Sequence, residues 1–396
     1  MNSDWPETEL GSIVENHDRF RIPITRKDRI PGPYPYYGAA GIQDWVDDFI
    51  FDGLHVLVAE DGTVETESGH LVTQIVDGKF WVNNHAHVLK GKTEFDTRYI
   101  YYALKTVKAR PYMTGAVQKK INQGNLNRIK IPYPSEEERH RIASVLGIID
   151  KKINLNRSMN TAIMEICSTL FESYFIEFEA DESIDLVDSE IGKIPRGWGI
   201  GTISDLGELV TTTVKPYQSP DLGWDHYSIP AFDTDALPTV DLGSTILSNK
   251  YAVPSDSVLV SKLNPRFPRI WMPNVQDITT AICSTEFMPF VPKLGTRSFL
   301  YDFFSSSIAQ RALKARATGT TGSRQRVRPS EVVTLKALLP PSDTIQAYDK
   351  IVAPLHQRRL QNITQCRTLE SIRNTLIPKL ISGKTKLPVS LNILEA

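Results

Sequence analysis

Cysteine is scarce in this 396-residue chain, which holds only Cys167, Cys283 and Cys366. Three widely separated cysteines make neither a disulfide framework nor a cysteine-rich zinc site. Long apolar runs are missing too: no stretch approaches the ~18 residues of a membrane span. The N-terminal MNSDWPETEL lacks the basic and apolar regions of a secretory signal, so a cytoplasmic location is expected. Neither sign of charge is in surplus, with 45 basic and 46 acidic residues and a net charge of -1. Taken alone, that balance argues against a protein that neutralises several nucleic-acid phosphates. Glycine and proline, 23 and 25 residues, are too few for a fibrous or disordered chain. What is present is an ordinary globular composition, 41% hydrophobic and 23% charged. The length is enough for two or three domains, each with its own core.

Charge is distributed unevenly. Residues 135–190 carry 13 acidic against 5 basic side chains, whereas residues 341–396 carry 4 against 8. The chain also repeats itself at an offset near 206. LGSIV (10–14) returns as LGELV (206–210), each a few residues after a tryptophan, Trp5 or Trp198. TGAVQKKIN (114–122) is matched by TGSRQRVRP (321–329), and NLNRIKIPYPS (125–135) by VVTLKALLPPS (332–342). Units this long are duplicated domains, not the short repeats of a solenoid.

After each repeat comes a helix-like region. Ser135 and Glu138 form a capping-box signature ahead of the first. A heptad frame then places Ile142, Ile149, Asn156, Ile163 and Leu170 on one seam position and Leu146, Ile153, Asn160, Cys167 and Tyr174 on the other. Adding 206 to the first set gives Tyr348, Leu355, Asn362, Leu369 and Leu376, so the duplicate keeps both the apolar seam and its asparagine. A buried asparagine costs stability but fixes register, which points to a specific pair of helices. Two unrelated amphipathic helices are the alternative. A helix of some 35 residues would be roughly 50 Å long, enough for a spacer. Pro354 is expected to start or kink the second helix and Pro378 to mark a break in it.

The segments that precede each helix are mixed. FIFDGLHVLVAEDG (49–62), KFWVNNHAHVLKG (79–91) and SDSVLVSKLN (255–264) read as strands, while RYIYYALKTVKA (98–109) and RSFLYDFFSSSIAQRALKAR (297–316) have helical spacing. The resulting organisation is an α+β lobe at 1–134, a central helix region at 135–180, a linker at 181–196, a second α+β lobe at 197–341, a C-terminal helix region at 342–385 and a tail at 386–396.

Catalytic signals are weak. Gly91-Lys92-Thr93 and Gly383-Lys384-Thr385 fail as phosphate loops, because the required first glycine falls at Ala86 and Pro378. Asn264-Pro265-Arg266-Phe267 departs from the Asn-Pro-Pro-aromatic loop of amino-methyltransferases at its third residue. No catalytic residue and no metal site is assigned. His85 and His87, with Asp61 or His70, could ligate zinc, but hydrogen-bonded histidines at a sheet rim are the commoner arrangement. Binding signals are stronger. No acid interrupts the basic residues between Asp96 and Glu136, or those between Asp302 and Glu331, and the two windows occupy the same place in the repeat. Two basic windows in register point to phosphate contacts, although either alone could be a solvated face. The candidates for DNA contact are Tyr36, Tyr37, Asn83, Asn84, His85, Lys119, Lys120 and Asn122 in the first lobe. In the second they are Lys262, Asn264, Arg266, Arg269, Ser323, Arg324, Gln325, Arg326 and Arg328.

With YPYYGAAGI, VAEDGT and KFWVNNHAHVL in the first lobe, IGKIPRGW entering the second and TLESIRNTLIPKLISGK near the end, the chain resembles the specificity subunit of type I restriction-modification systems. The resemblance covers nearly the whole chain. It implies two duplicated α+β target-recognition domains, separated by a pair of long antiparallel coiled-coil helices with pseudo-twofold symmetry, each reading half of a bipartite double-stranded DNA target. It also implies a non-catalytic chain whose helices set the gap and dock two modification subunits that methylate adenine with S-adenosylmethionine, beside restriction subunits that use ATP and Mg²⁺. A coiled-coil scaffold without DNA contact, or the specificity subunit of a related methylation-based defence system, are the alternatives.

Overall fold

A computed structural model describes residues 5–115, 119–178, 185–319 and 325–388. The chain divides into two compact units, one made of residues 1–154 and 367–396, the other of residues 155–366.

In the first unit the run His55–Ala59 is buried along its whole length. A continuously apolar strand needs cover on both faces, and it lies inside an antiparallel four-stranded sheet in the order Val14–Asn16, Ala86–Gly91, His55–Ala59, Thr73–Val76. Helix Glu94–Leu104 covers one face with Tyr99, Ile100, Tyr102, Ala103 and Leu104. It starts at Thr93, whose hydroxyl accepts the Asp96 amide and so satisfies one of the helix's orphan donors. Strand Tyr34–Gly38 sits between Gly41–Val46 and Trp81–Val82, and Glu7–Glu9 pairs with Lys130–Pro132 near the end of the lobe.

The second unit repeats this order. Gly207–Leu209, Phe287–Pro292, Val258–Ser261 and Ile270–Trp271 form the corresponding antiparallel sheet, and Gly199–Thr202 pairs with Lys336–Leu339. Its helical cover is broken into Arg297–Ser305 and Ser307–Ala315, because Ser306 is extended and its hydroxyl caps the second helix. A five-stranded sheet containing Gly223–Tyr227 and Ala281–Ser284 stands beside it. The stretch expected to be a plain linker is a β-hairpin over its later half. Leu186–Ser189 pairs with Gly192–Pro195, Gly192 supplies the positive φ of the turn (108°), and Ile194 is buried.

The two long helices are Glu136–Phe175 and Ser342–Ile381, 40 residues each. Ser135 caps the first through the Glu138 amide (3.4 Å), but the Glu138 carboxylate turns to Arg141, so only half of the expected capping box forms. The second helix runs through both Pro354 and Pro378. Each proline sacrifices one backbone hydrogen bond, and packing of the surrounding seam holds the helix against that loss.

Both units contain antiparallel segments of this pair. In the first, Ile142, Ala143 and Leu146 join Ile377, Leu380 and Ile381 in the core, and Arg373 pairs with Asp150. In the second, Asn156 Nδ2 donates to Gln365 Oε1 (2.7 Å) and Asn362 Nδ2 donates to Asn160 Oδ1 (2.9 Å). Of the remaining seam residues, Ile153, Ile163 and Tyr348 are buried, while Ile149, Leu170, Leu355, Leu369 and Leu376 are half-buried.

Candidate nucleic-acid interface

The central strand pair ends at the same place in each unit. In the first, Ala59 pairs with Ala86, the Glu60 amide donates to the His85 carbonyl (2.9 Å) and the Ile121 amide donates to the Glu60 carbonyl (2.8 Å). In the second, Ser261 pairs with Phe287, the Lys262 amide donates to the Glu286 carbonyl (2.9 Å) and the Val327 amide donates to the Lys262 carbonyl (3.0 Å). A basic hairpin closes on each. Thr114 and Lys120 exchange backbone hydrogen bonds of 2.8 and 2.9 Å, and Thr318 and Arg326 exchange two of 2.9 Å. Matching bonds make Glu60 the counterpart of Lys262, His85 of Glu286, and Lys120 of Arg326. Gly62 (φ 69°) and Asn264 (φ 47°) are likewise counterparts, both in left-handed conformation. Asn264 is therefore a turn residue, one of the few types that tolerate that backbone.

Each hairpin cation among the described residues meets a carboxylate. Lys120 Nζ lies 3.0 Å from Glu60 Oε1, and Lys119 pairs with Glu65. Burial pushes the Glu60 carboxyl up, but hydrogen bonds from Arg21 and Lys120 outweigh it and leave it below the usual value. In the second unit Arg326 holds Glu286 with two points of its fork, Nε to Oε2 and Nη2 to Oε1, each 3.0 Å. Those bonds raise the guanidinium pKa above its ordinary value. The carboxylate has thus changed strands between the units while the ion pair has stayed. Arg269 is forked onto Asp233 (2.6 and 2.8 Å), Arg328 is 3.8 Å from Glu331, and exposed Arg266 lies over the Phe267 ring at 4.8 Å. The basic windows are consequently partly neutralised by local acids.

Several candidates are not at the surface. Tyr36 is 1% exposed, its hydroxyl accepting the Ile24 amide and its ring lying under Arg29. Asn83 is 3% exposed, donating to Gln43 and accepting the His85 amide, so it shapes the turn and does not present its amide outward. Tyr37 is half-buried edge-on to Phe80, and burial raises its phenol pKa. Asn122 is exposed but caps helix Gln123–Asn127. Asn84, His85, Lys119, Lys120, Arg266, Arg326 and Arg328 are exposed; Lys262, Asn264, Arg269 and Gln325 are half-buried. Ser323 and Arg324 lie outside the described residues. Sequence reading missed Glu60, Arg21 and Glu286. Aligning VAEDG (58–62) with VSKLN (260–264) would have revealed the first of these.

His85 and His87 are hydrogen-bonded residues of the sheet and its rim. His85 Nδ1 faces Asp61 (2.8 Å), and buried His87 sits between Asp18 (2.6 Å) and the Ile121 carbonyl (2.7 Å). Among the described residues, the one cluster close enough for a metal is buried Cys167, Asp302 and His356. Asp302 already accepts Tyr348 (2.7 Å) and His356 (2.9 Å), and burial pushes the Cys167 thiol up to about 12. Tyr348 and His356 thus already occupy the Asp302 carboxylate within the core.

Residues 2–165 match the family described as the type I restriction modification DNA specificity domain. A Haemophilus influenzae protein described as a type I restriction enzyme specificity subunit is 36% identical over 147 residues, a stretch covering 37% of this chain and 37% of that one. The MjaIX specificity subunit of Methanocaldococcus jannaschii is 24% identical over 73% of this chain and 69% of its own. The crystal structure of a type I restriction-modification S subunit from M. genitalium, 17% identical, superposes with a TM-score of 0.58 over 96% of both chains, which shows a shared fold. Residues 2–165 thus match a type I DNA specificity domain, and over most of its length the chain resembles proteins described as type I restriction enzyme specificity subunits.

Proposed function

We propose that this chain is the DNA specificity subunit of a type I restriction-modification complex, acting in the cytoplasm. Each unit reads one half of a bipartite double-stranded DNA target, and the paired helices set the gap and dock two modification subunits. The chain contributes no catalytic centre. Adenine methylation with S-adenosylmethionine belongs to the modification subunits, and ATP- and Mg²⁺-dependent translocation and cutting to the restriction subunits. One observation carries the reading: the same strand end and basic hairpin is built twice, at Lys120 and at Arg326, on a duplicated fold. Duplicated cation-bearing hairpins suit a ligand that itself offers two similar segments, as a DNA duplex does.

The test is methyl transfer from S-adenosylmethionine to DNA by the modification subunits encoded with this chain. Transfer to adenine is expected only when the chain is present. Equal transfer without it, or a stable complex that neither binds nor methylates DNA, would leave a coiled-coil scaffold as the better reading.

A further inference from the structure

The ion pair at Arg326 fixes the orientation of an exposed guanidinium. Arg326 is exposed at the foot of its hairpin, and Glu286 engages it from the adjacent strand start. The carboxylate takes Nε and one hydrogen of Nη2. Held in this way, the guanidinium keeps its far edge, Nη1 and the other Nη2 hydrogen, as two parallel donors in a fixed plane. Two parallel donors match O6 and N7 of guanine in the major groove, the commonest base-specific contact a side chain makes. Pre-orientation by the carboxylate removes part of the side-chain entropy that a free arginine would lose on binding.

The first unit differs at the equivalent position. Lys120 presents a single ammonium to Glu60, with three rotatable donors and no fork. A lysine can contact guanine too, but a point charge suits phosphate equally well.

We infer that Arg326, positioned by Glu286, reads a guanine in the half-target bound by the second unit, while Lys120 in the first unit makes a less selective contact. This rests on the function proposed above and names residues for it. Glu286 acts as a positioning residue, since it works through the arginine.

The experiment expresses the whole chain with its modification subunits and sequences the methylated adenines in the genomic DNA of the expression host. With Arg326→Ala, one G·C position in one half of the methylated motif should relax, with discrimination there falling roughly 5- to 150-fold. The other half should be unchanged. Glu286→Gln should relax the same position to a smaller extent, whereas loss of a merely structural ion pair would lower methylation evenly at all sites. Lys120→Ala should reduce methylation without making any base position degenerate. A wild-type motif with no G·C pair in the affected half, or a variant motif retaining full discrimination, would overturn the inference. Absence of any methylated motif from the wild-type complex would instead count against the function itself, so the two failures are distinguishable.

Discussion

Buried charges in the first unit are held by named partners, and their loss has a definite sign. Asp18 is pushed up by burial, but its hydrogen bond to His87, the His87 charge and the Val88 amide together bring its carboxyl below the ordinary value of 3.8. A carboxyl depressed on folding stabilises the protein above its unfolded pKa, and that contribution disappears as pH falls through the folded value. The first unit should therefore lose thermal stability below about pH 4, and Asp18→Asn should flatten the loss; melting curves across pH 2–6 check this. Identical acid limbs for both proteins would assign the acid sensitivity elsewhere. At this scale residue type was a partial guide. Asn84, His85 and Lys120 could be picked out as surface donors, but Tyr36 and Asn83 have the same chemistry and lie buried. Nothing in a tyrosine among tyrosines says which ring faces the core; the alternation of a short bulged strand decides it.

The long helices were readable from their heptads and from Ser135, because period and cap act over many residues and resist local exceptions. The helix neither starts at Pro354 nor ends at Pro378, because the cost at each proline is local whereas the seam extends on both sides of it. The hairpin at 186–195 was missed because its strands are only four residues each and bury just Ile194 and Pro195. Asn156 is buried, its only described side-chain bond goes to the exposed Gln365, and its Oδ1 has no partner. Asn156→Leu frees Gln365 to water, removes an unpaired acceptor and adds apolar contact. It should stabilise the second unit by about 1 kcal/mol, read as a higher denaturant midpoint with an unchanged slope. Destabilisation of similar size would mean that the asparagine bond contributes more than register.

For the whole molecule, duplication was the most legible property, since matching segments 206 apart are visible without any structure. The matched hydrogen bonds at Glu60/Lys262 and Lys120/Arg326 extend that duplication to the proposed binding surface, where residue identities have diverged and sequence comparison by eye loses the register. Net charge near zero also acquires a physical meaning. Glu60, Glu65 and Glu286 pair with Lys120, Lys119 and Arg326 in the free chain. In the proposed function, contact with phosphates must compete with these ion pairs, which favours modest affinity for the chain alone and a larger share from the proposed modification subunits. The central claim is that two equivalent units each read DNA. Its most direct test is the methylation motif produced by the chain with its modification subunits. Two defined sequence blocks separated by bases of no fixed identity are predicted; a single uninterrupted motif, or methylation without a fixed motif, would contradict the account.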